Sequence, residues 1–133
     1  MKRFIVALFS LFCLLLICSA IAESNADLLT PQGYADVMTY DSEGFSCHAK
    51  YDANTDVFTY ILYSTDISNT VWKLADESAK YQYHELFSGI SASIEESLNT
   101  MGCADTCNVC IFKLSDGTPV YLFVNGNDLT DLL

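Results

Sequence analysis

Three cysteines stand close together late in the chain. Cys103, Cys107 and Cys110, in the string GCADTCNVC, fall at C-x3-C-x2-C spacing. Thiolates so spaced can hold an iron–sulfur cluster, supply ligands to zinc, act as a redox pair through Cys107-Asn-Val-Cys110, or form disulfides. Cys47 is the only other cysteine beyond residue 18. It would be the fourth zinc ligand or a bridge partner. Which chemistry applies depends on the compartment and on the elements that place the sulfurs.

The N-terminus addresses the compartment. Met1-Lys2-Arg3 is a short basic start, FIVALFSLFCLLLIC is an uncharged apolar run, and Ala20 and Ala22 form a small-x-small site. That order reads as a secretory signal peptide over residues 1–22, cleaved after Ala22. Left uncleaved, the same segment is a membrane anchor. Cleavage removes Cys13 and Cys18 and leaves four cysteines, an even number outside the reducing cytosol, so two disulfides are the expectation. Loss of Lys2 and Arg3 moves the formal net charge from −11 to −13. A surface that acidic repels phosphate backbones and anionic lipid, which argues against a nucleic-acid partner. About 111 residues remain, enough for one domain around one core.

The C-x3-C-x2-C spacing of Cys103, Cys107 and Cys110 resembles the cluster-binding motif of the radical S-adenosylmethionine enzymes. The resemblance covers eight residues and implies a 4Fe–4S cluster held by three thiolates. That family usually carries an aromatic residue before the last cysteine, and its motif opens a large α/β barrel. Here Val109 precedes Cys110 and only 23 residues follow it. A zinc ribbon would want a second close pair, and Cys47 has no neighbouring cysteine. A reactive thiolate is favoured at a helix N-terminus, whereas these cysteines follow a predicted helix C-terminus. Disulfides fit best. Cys103–Cys107 would clamp the helix-to-strand turn. Cys47–Cys110 would join two strands if they are neighbours, closing a loop of about 63 residues worth roughly 4 kcal/mol. Cys47–Cys107 with Cys103–Cys110 is the alternative pairing.

The elements follow from hydrophobic period. Residues 23–44 read as a partly ordered lead-in, with Thr30-Pro31 opening a short helix to about Met38 and YDSEG as a turn. In FSCHAKY, Phe45, Cys47, Ala49 and Tyr51 alternate with polar residues. DANTD supplies a turn, and VFTYILY is β-branched and aromatic, so the pair reads as a hairpin. From Ser68 to Gly102 the period becomes helical, with Trp72, Ala79, Tyr83, Phe87, Ile90, Ile94, Leu98 and Met101 on one stripe. One helix of that length, roughly 50 Å, would overhang the sheet. It either bends at Ser88-Gly89 or begins with a separate short helix. VCIFKL and PVYLFV, joined through Asp116-Gly117, form a second hairpin. The expected fold is α+β, ββαββ. A four-stranded antiparallel sheet carries one long helix across one face, a single domain over residues 45–133 preceded by the cleaved signal-peptide helix.

No catalytic residue, cofactor or metal ligand is expected. His48 and His84 lack the company of a hydrolase or zinc-helix motif. Asp76-Glu77 and Glu95-Glu96 read as solvated helical charges, and NGND lacks the ligand spacing of a calcium loop. The strands are more informative. Phe58 and Tyr60 share one face of their strand, and Tyr121 and Phe123 share one face of theirs. The alternate positions, Val57, Thr59, Ile61 and Tyr63 with Val120, Leu122 and Val124, are also largely apolar. One helix covers one face, so the other meets water, residues 28–40 or a partner. Phe58, Tyr60, Tyr121 and Phe123 are the residues expected at an interaction surface. The expected function is a non-enzymatic, disulfide-stabilised binding or interaction module of bacterial type, secreted or on the cell surface. It would meet a protein partner or a second copy of itself through the second sheet face. The alternative is a small exported thiol, redox or metal-binding protein using Cys103, Cys107 and Cys110.

Overall fold

The computed structural model describes residues 30–133. The expected signal segment, the cleavage site and the lead-in up to residue 29 lie outside the described residues. Helix α1 (Pro31–Val37) starts where Thr30, in extended conformation, accepts the Gly33 N–H on its hydroxyl, with Pro31 at the first helical position. Tyr34, Ala35 and Met38 are buried, so the domain already includes part of the expected lead-in.

The strands are β1 (Tyr40–Ser42), β2 (Phe45–Asp52), β3 (Val57–Ser64), β4 (Cys107–Lys113), β5 (Pro119–Val124) and β6 (Asn127–Asp128). YDSEG is therefore not only a turn. Tyr40–Ser42 pairs with Phe45–Cys47 around Gly44, whose φ of +85° a side chain would resist. Helix α2 (Asn69–Leu74) is capped by Ser68, and helix α3 (Glu77–Thr100) by Asp76, whose carboxylate accepts the Ala79 N–H at 2.7 Å. The long helical stretch thus breaks at Ala75–Asp76, and α3 runs unbroken through Ser88-Gly89. A short 3-10 turn (Thr130–Leu132) ends the chain.

The sheet departs from the four antiparallel strands expected. It has six strands in the order β1-β2-β3-β4-β5-β6, and β3 pairs with β4 in parallel while every other pair is antiparallel. The cause is the length of α3. Its 24 residues rise about 36 Å, enough to carry the chain back past the end at which β3 began. The next strand must then start where β3 starts, and Val57 pairs with Cys107. The two outermost strands escaped sequence reading because they are three and two residues long and largely polar. Such short edges leave little backbone open to unwanted pairing.

All three α-helices contribute to the core on one side of the sheet. Tyr34 of α1 stacks on Phe58 of β3 at 5.5 Å between ring centroids, and its hydroxyl donates to Ser97 Oγ of α3 at 3.3 Å. Trp72 of α2 meets Tyr83, Phe112 and Tyr121 edge-on. Phe87 of α3 lies against Phe112, Tyr121 and Phe123. Ile90, Ile94 and Leu98 complete the buried stripe of α3.

Candidate interaction face

The aromatic residues expected at an interaction surface lie beneath the helices instead. Phe58, Tyr60 and Phe123 are buried, and Tyr121 is 9% exposed. Their polar tips are used internally. The Tyr60 hydroxyl donates to Cys47 Sγ at 3.4 Å, and the Tyr121 hydroxyl donates to the Lys80 carbonyl at 2.8 Å. The cross-strand register explains the placement. Cys47 stands opposite Leu62, Tyr60 beside Cys110, Cys110 opposite Phe123 and Phe112 opposite Tyr121. Residues opposite one another share a face, so whichever face takes Cys47 and Phe112 takes these aromatics with them.

The alternate positions form the other face. Val57, Thr59, Ile61 and Tyr63 of β3, Val109, Ile111 and Lys113 of β4, and Leu122 and Val124 of β5 are all half-buried. None of these belongs to the core or packs against it. They line up in rows. His48, Ile61, Ile111 and Leu122 cross four strands side by side, and Lys50, Thr59, Val109 and Val124 form the next row. Residues 30–40 do not cover them, because α1 sits on the helix side with Tyr34, Ala35 and Met38 in the core. Side chains on this face shield one another and, among the described residues, have no layer above them.

Two features give the face chemical character. Tyr63 stands between two basic side chains, with the His48 ring edge-on at 5.5 Å and Lys113 Nζ 5.7 Å from its ring centroid. A depression of about 480 Å³ opens beside it, lined by Thr39, His48, Lys50, Thr59, Ile61 and Tyr63. Two carboxylates stand on this side, Asp52 at the end of β2 near Lys50 and Asp41 of β1, which accepts from the Ser46 hydroxyl at 2.5 Å next to His48. Lys50 and Lys113 make up half of the four Lys and Arg residues in the described chain.

The cysteines are thiols in this structure, and their placement decides which bridges the backbone permits. Cys47 on β2 and Cys110 on β4 are not on neighbouring strands, because β3 runs between them. Two strand spacings put their Cα atoms roughly 10 Å or more apart. A disulfide reaches about 7 Å at most, so the expected Cys47–Cys110 bridge is not available. Cys47–Cys107 fails for the same reason. Cys107 and Cys110 point to opposite faces of β4. Only Cys103 and Cys107 flank one tight turn, closed by the Thr106 N–H donating to the Cys103 carbonyl at 3.1 Å. Burial pushes the Cys47 thiol up to about 11, against the lowering effect of the Tyr60 hydroxyl. Burial likewise pushes Cys110 up to about 12, and its thiol donates to Asn108 Oδ1 at 3.3 Å. Both are poor nucleophiles at neutral pH. Among the described residues, no group of three or more His, Cys, Asp and Glu side chains is placed to hold a metal ion.

Gly102 ends α3 at φ +80°, and the Cys103 N–H returns to the Leu98 carbonyl at 2.8 Å while the Gly102 N–H meets that of Asn99. This is a Schellman closure. Asp56 then holds the loop from the other side. Its carboxylate accepts from the Tyr51 hydroxyl at 2.8 Å and from Thr106 Oγ1 at 2.7 Å, and its carbonyl accepts the Cys107 N–H at 3.0 Å. The Thr106 and Tyr51 bonds hold the Asp56 carboxyl below the ordinary carboxylate value. His84, expected to be an ordinary polar-face residue, has a specific partner as well. Its Nε2 lies 2.7 Å from Asp128 Oδ2, and its ring meets Tyr121 edge-on and Phe123 at a tilt. The dyad fastens the C-terminal strand to α3, and the Thr130 hydroxyl donates to the other Asp128 oxygen at 2.6 Å.

No known protein family, curated protein or solved structure matches the chain. No helix among the described residues is long and apolar enough to cross a membrane.

Proposed function

We propose that the chain is an exported, non-enzymatic interaction module that docks a protein partner on the uncovered face of its sheet. The observation behind this reading is the row Ile61, Ile111 and Leu122, with Val57, Val109 and Val124 around it, half-buried on the side opposite the core. A contiguous apolar patch on one side of a domain is a usual mark of a docking site. Cys47 and Cys110 are sealed in the core, and Cys107 stands at the start of β4, beside Val57 at one end of that face. Export rests on the N-terminal segment and remains part of the proposal.

Hydroxyl-radical footprinting tests it, comparing the chain in its producing cells with the purified chain. Docking predicts that Ile61, Ile111 and Leu122 are oxidised in the purified chain and protected in place, with Phe58 and Phe112 protected in both. Equal oxidation of Ile61 and Ile111 in the two states would sink the reading.

A further inference from the structure

Between α3 and β4 a group of polar side chains meets inside the core. Ser91 and Glu95 lie one turn apart on α3, so they share a side of the helix. Asn108 and Cys110 lie two residues apart on β4, so they share its inward face. Ser91, Asn108 and Cys110 are fully buried. Glu95, expected to be a solvated helical charge, turns its Oε2 inward, where solvent does not reach it. Beyond burial itself, the groups that act on the Cys110 thiol are Ser91, Asn108 and Glu95, which sets the four side chains around one point.

The hydrogen bonds there are only partly made. The main chain of Asn108 is satisfied by Asn125: its N–H donates to Asn125 Oδ1 and its carbonyl accepts the Asn125 N–H, each at 2.8 Å. Asn108 Oδ1 accepts from the Cys110 thiol at 3.3 Å. By contrast Asn108 Nδ2, Ser91 Oγ and Glu95 Oε2 bond no protein atom among the described residues. Ser91 is the most informative of the three. Ser97 and Thr100 of the same helix donate to the carbonyls of Ser93 and Glu96, one turn back. The Ser91 hydroxyl does not fold back in this way, so it is aimed elsewhere.

The three atoms complement one another chemically. An amide nitrogen and a hydroxyl donate, and a carboxylate oxygen accepts. Buried groups so matched would bond directly if they touched, and leaving them unpaired is destabilising. They therefore stand farther apart than one hydrogen bond. We infer that Asn108 Nδ2, Ser91 Oγ and Glu95 Oε2 together hold one buried water molecule, which accepts from the first two and donates to the third. Three partners is the usual number for an interior water. A water between two groups bridges a separation of roughly 5 Å, beyond the reach of a direct bond. The site joins the long helix to the sheet. Asn108 and Cys110 alternate along β4 with Val109 and Ile111, so the water lies beneath the strand whose other side carries the docking row. It does not depend on that face having a partner.

Water-selective nuclear Overhauser spectroscopy on the isotope-labelled full chain tests this. Cross-peaks are expected from the water resonance to the Asn108 side-chain amide protons. They should have opposite signs in the laboratory and rotating frames, which marks a held water rather than proton exchange. Ser91→Ala removes the hydroxyl proton that would otherwise relay such a signal, and alanine suits a helix, so the fold is kept. The peaks should persist in Ser91→Ala, because Asn108 and Glu95 still supply the two partners a buried water needs. Absence of the peaks from the parent chain, or their loss in Ser91→Ala, would overturn the inference.

Discussion

Adjacent residues Ile61 and Leu62 of β3 provide the sharpest test of the two-faced sheet, because the same substitution should give opposite results. Leu62 is fully buried in the core, and Ile61 points to the uncovered side. Threonine keeps β-branching and strand propensity, so its effect reports burial rather than backbone preference. Leu62→Thr deletes buried carbon, leaves a cavity and buries a hydroxyl. Large-to-small core changes cost about 2–5 kcal/mol, and an unpaired hydroxyl adds about 1–3 kcal/mol. A loss of about 4 kcal/mol is expected. Fully burying an isoleucine side chain is worth about 1.5–3 kcal/mol, and Ile61 is half-buried among its neighbours, so Ile61→Thr should cost about 1 kcal/mol. For a domain of this size, about 1 kcal/mol corresponds to about 4–8 °C. Thermal unfolding followed by circular dichroism should show Leu62→Thr lowering Tm by on the order of 20 °C and Ile61→Thr by a few degrees. Similar losses for the two would mean that the chain itself covers Ile61, and the two-faced account would fail.

Three further outcomes are expected. After mild reduction, iodoacetamide at pH 8 should label Cys103 and Cys107 and spare Cys47 and Cys110, whose burial holds the thiols at about 11 and about 12; rapid native labelling of Cys110 would contradict the core placement. The Asp128 carboxyl is pushed up by burial but held net below its ordinary value by Thr130 and His84. Its contribution is therefore complete above the unfolded carboxylate pKa near 3.9 and is lost as pH falls through the lower folded value, so Asp128→Asn should flatten the acid limb of the stability curve. Gly117→Ala meets no atom within 4 Å but must hold φ near +84°, so urea unfolding should show a loss of about 1–2 kcal/mol from backbone strain alone.

Much of the fold was legible in the sequence because it rests on local rules. Thr30-Pro31 opens α1, and Asp116-Gly117 turns β4 into β5 with Gly117 at φ +84°. Gly102 closes α3, and the alternation of Phe45, Cys47, Ala49 and Tyr51 gives β2 its inward side. Strand direction was less accessible, because no local signal says on which edge a returning chain pairs. The length of α3 carried that information. The choice of face was legible in part. In β3 and β5 both sets of alternate residues are apolar, so period alone leaves the buried set open. The hairpins resolve it. Once Cys47 and Phe112 are taken as inward, their partners Leu62 and Tyr121 must follow, and Phe58, Tyr60 and Phe123 go with them. The candidate docking residues are then the remaining set, Ile61, Ile111 and Leu122.

The parallel pairing also changes what the cysteine cluster does. In an antiparallel arrangement, Cys110 would have needed Cys47 to tie the second hairpin to the first. In the observed sheet, β4 lies directly along β3, and seven consecutive residue pairs from Val57–Cys107 to Tyr63–Lys113 make the connection through backbone hydrogen bonds. The turn before β4 therefore falls beside the start of β3. There Asp56, at φ +54°, binds Tyr51, Thr106 and the Cys107 N–H together. An aspartate tolerates that backbone region better than most residues because its short polar side chain bonds locally. Asp56 occupies the position a staple would have filled, and it orders the Cys103–Cys107 turn without requiring its oxidation. A Cys103–Cys107 bridge would reinforce a turn already closed by hydrogen bonds. Replacing both cysteines with serine should leave the sheet register and the uncovered face intact, whereas Asp56→Ala, which keeps the strained backbone and removes both side-chain bonds, should loosen the β3–β4 junction.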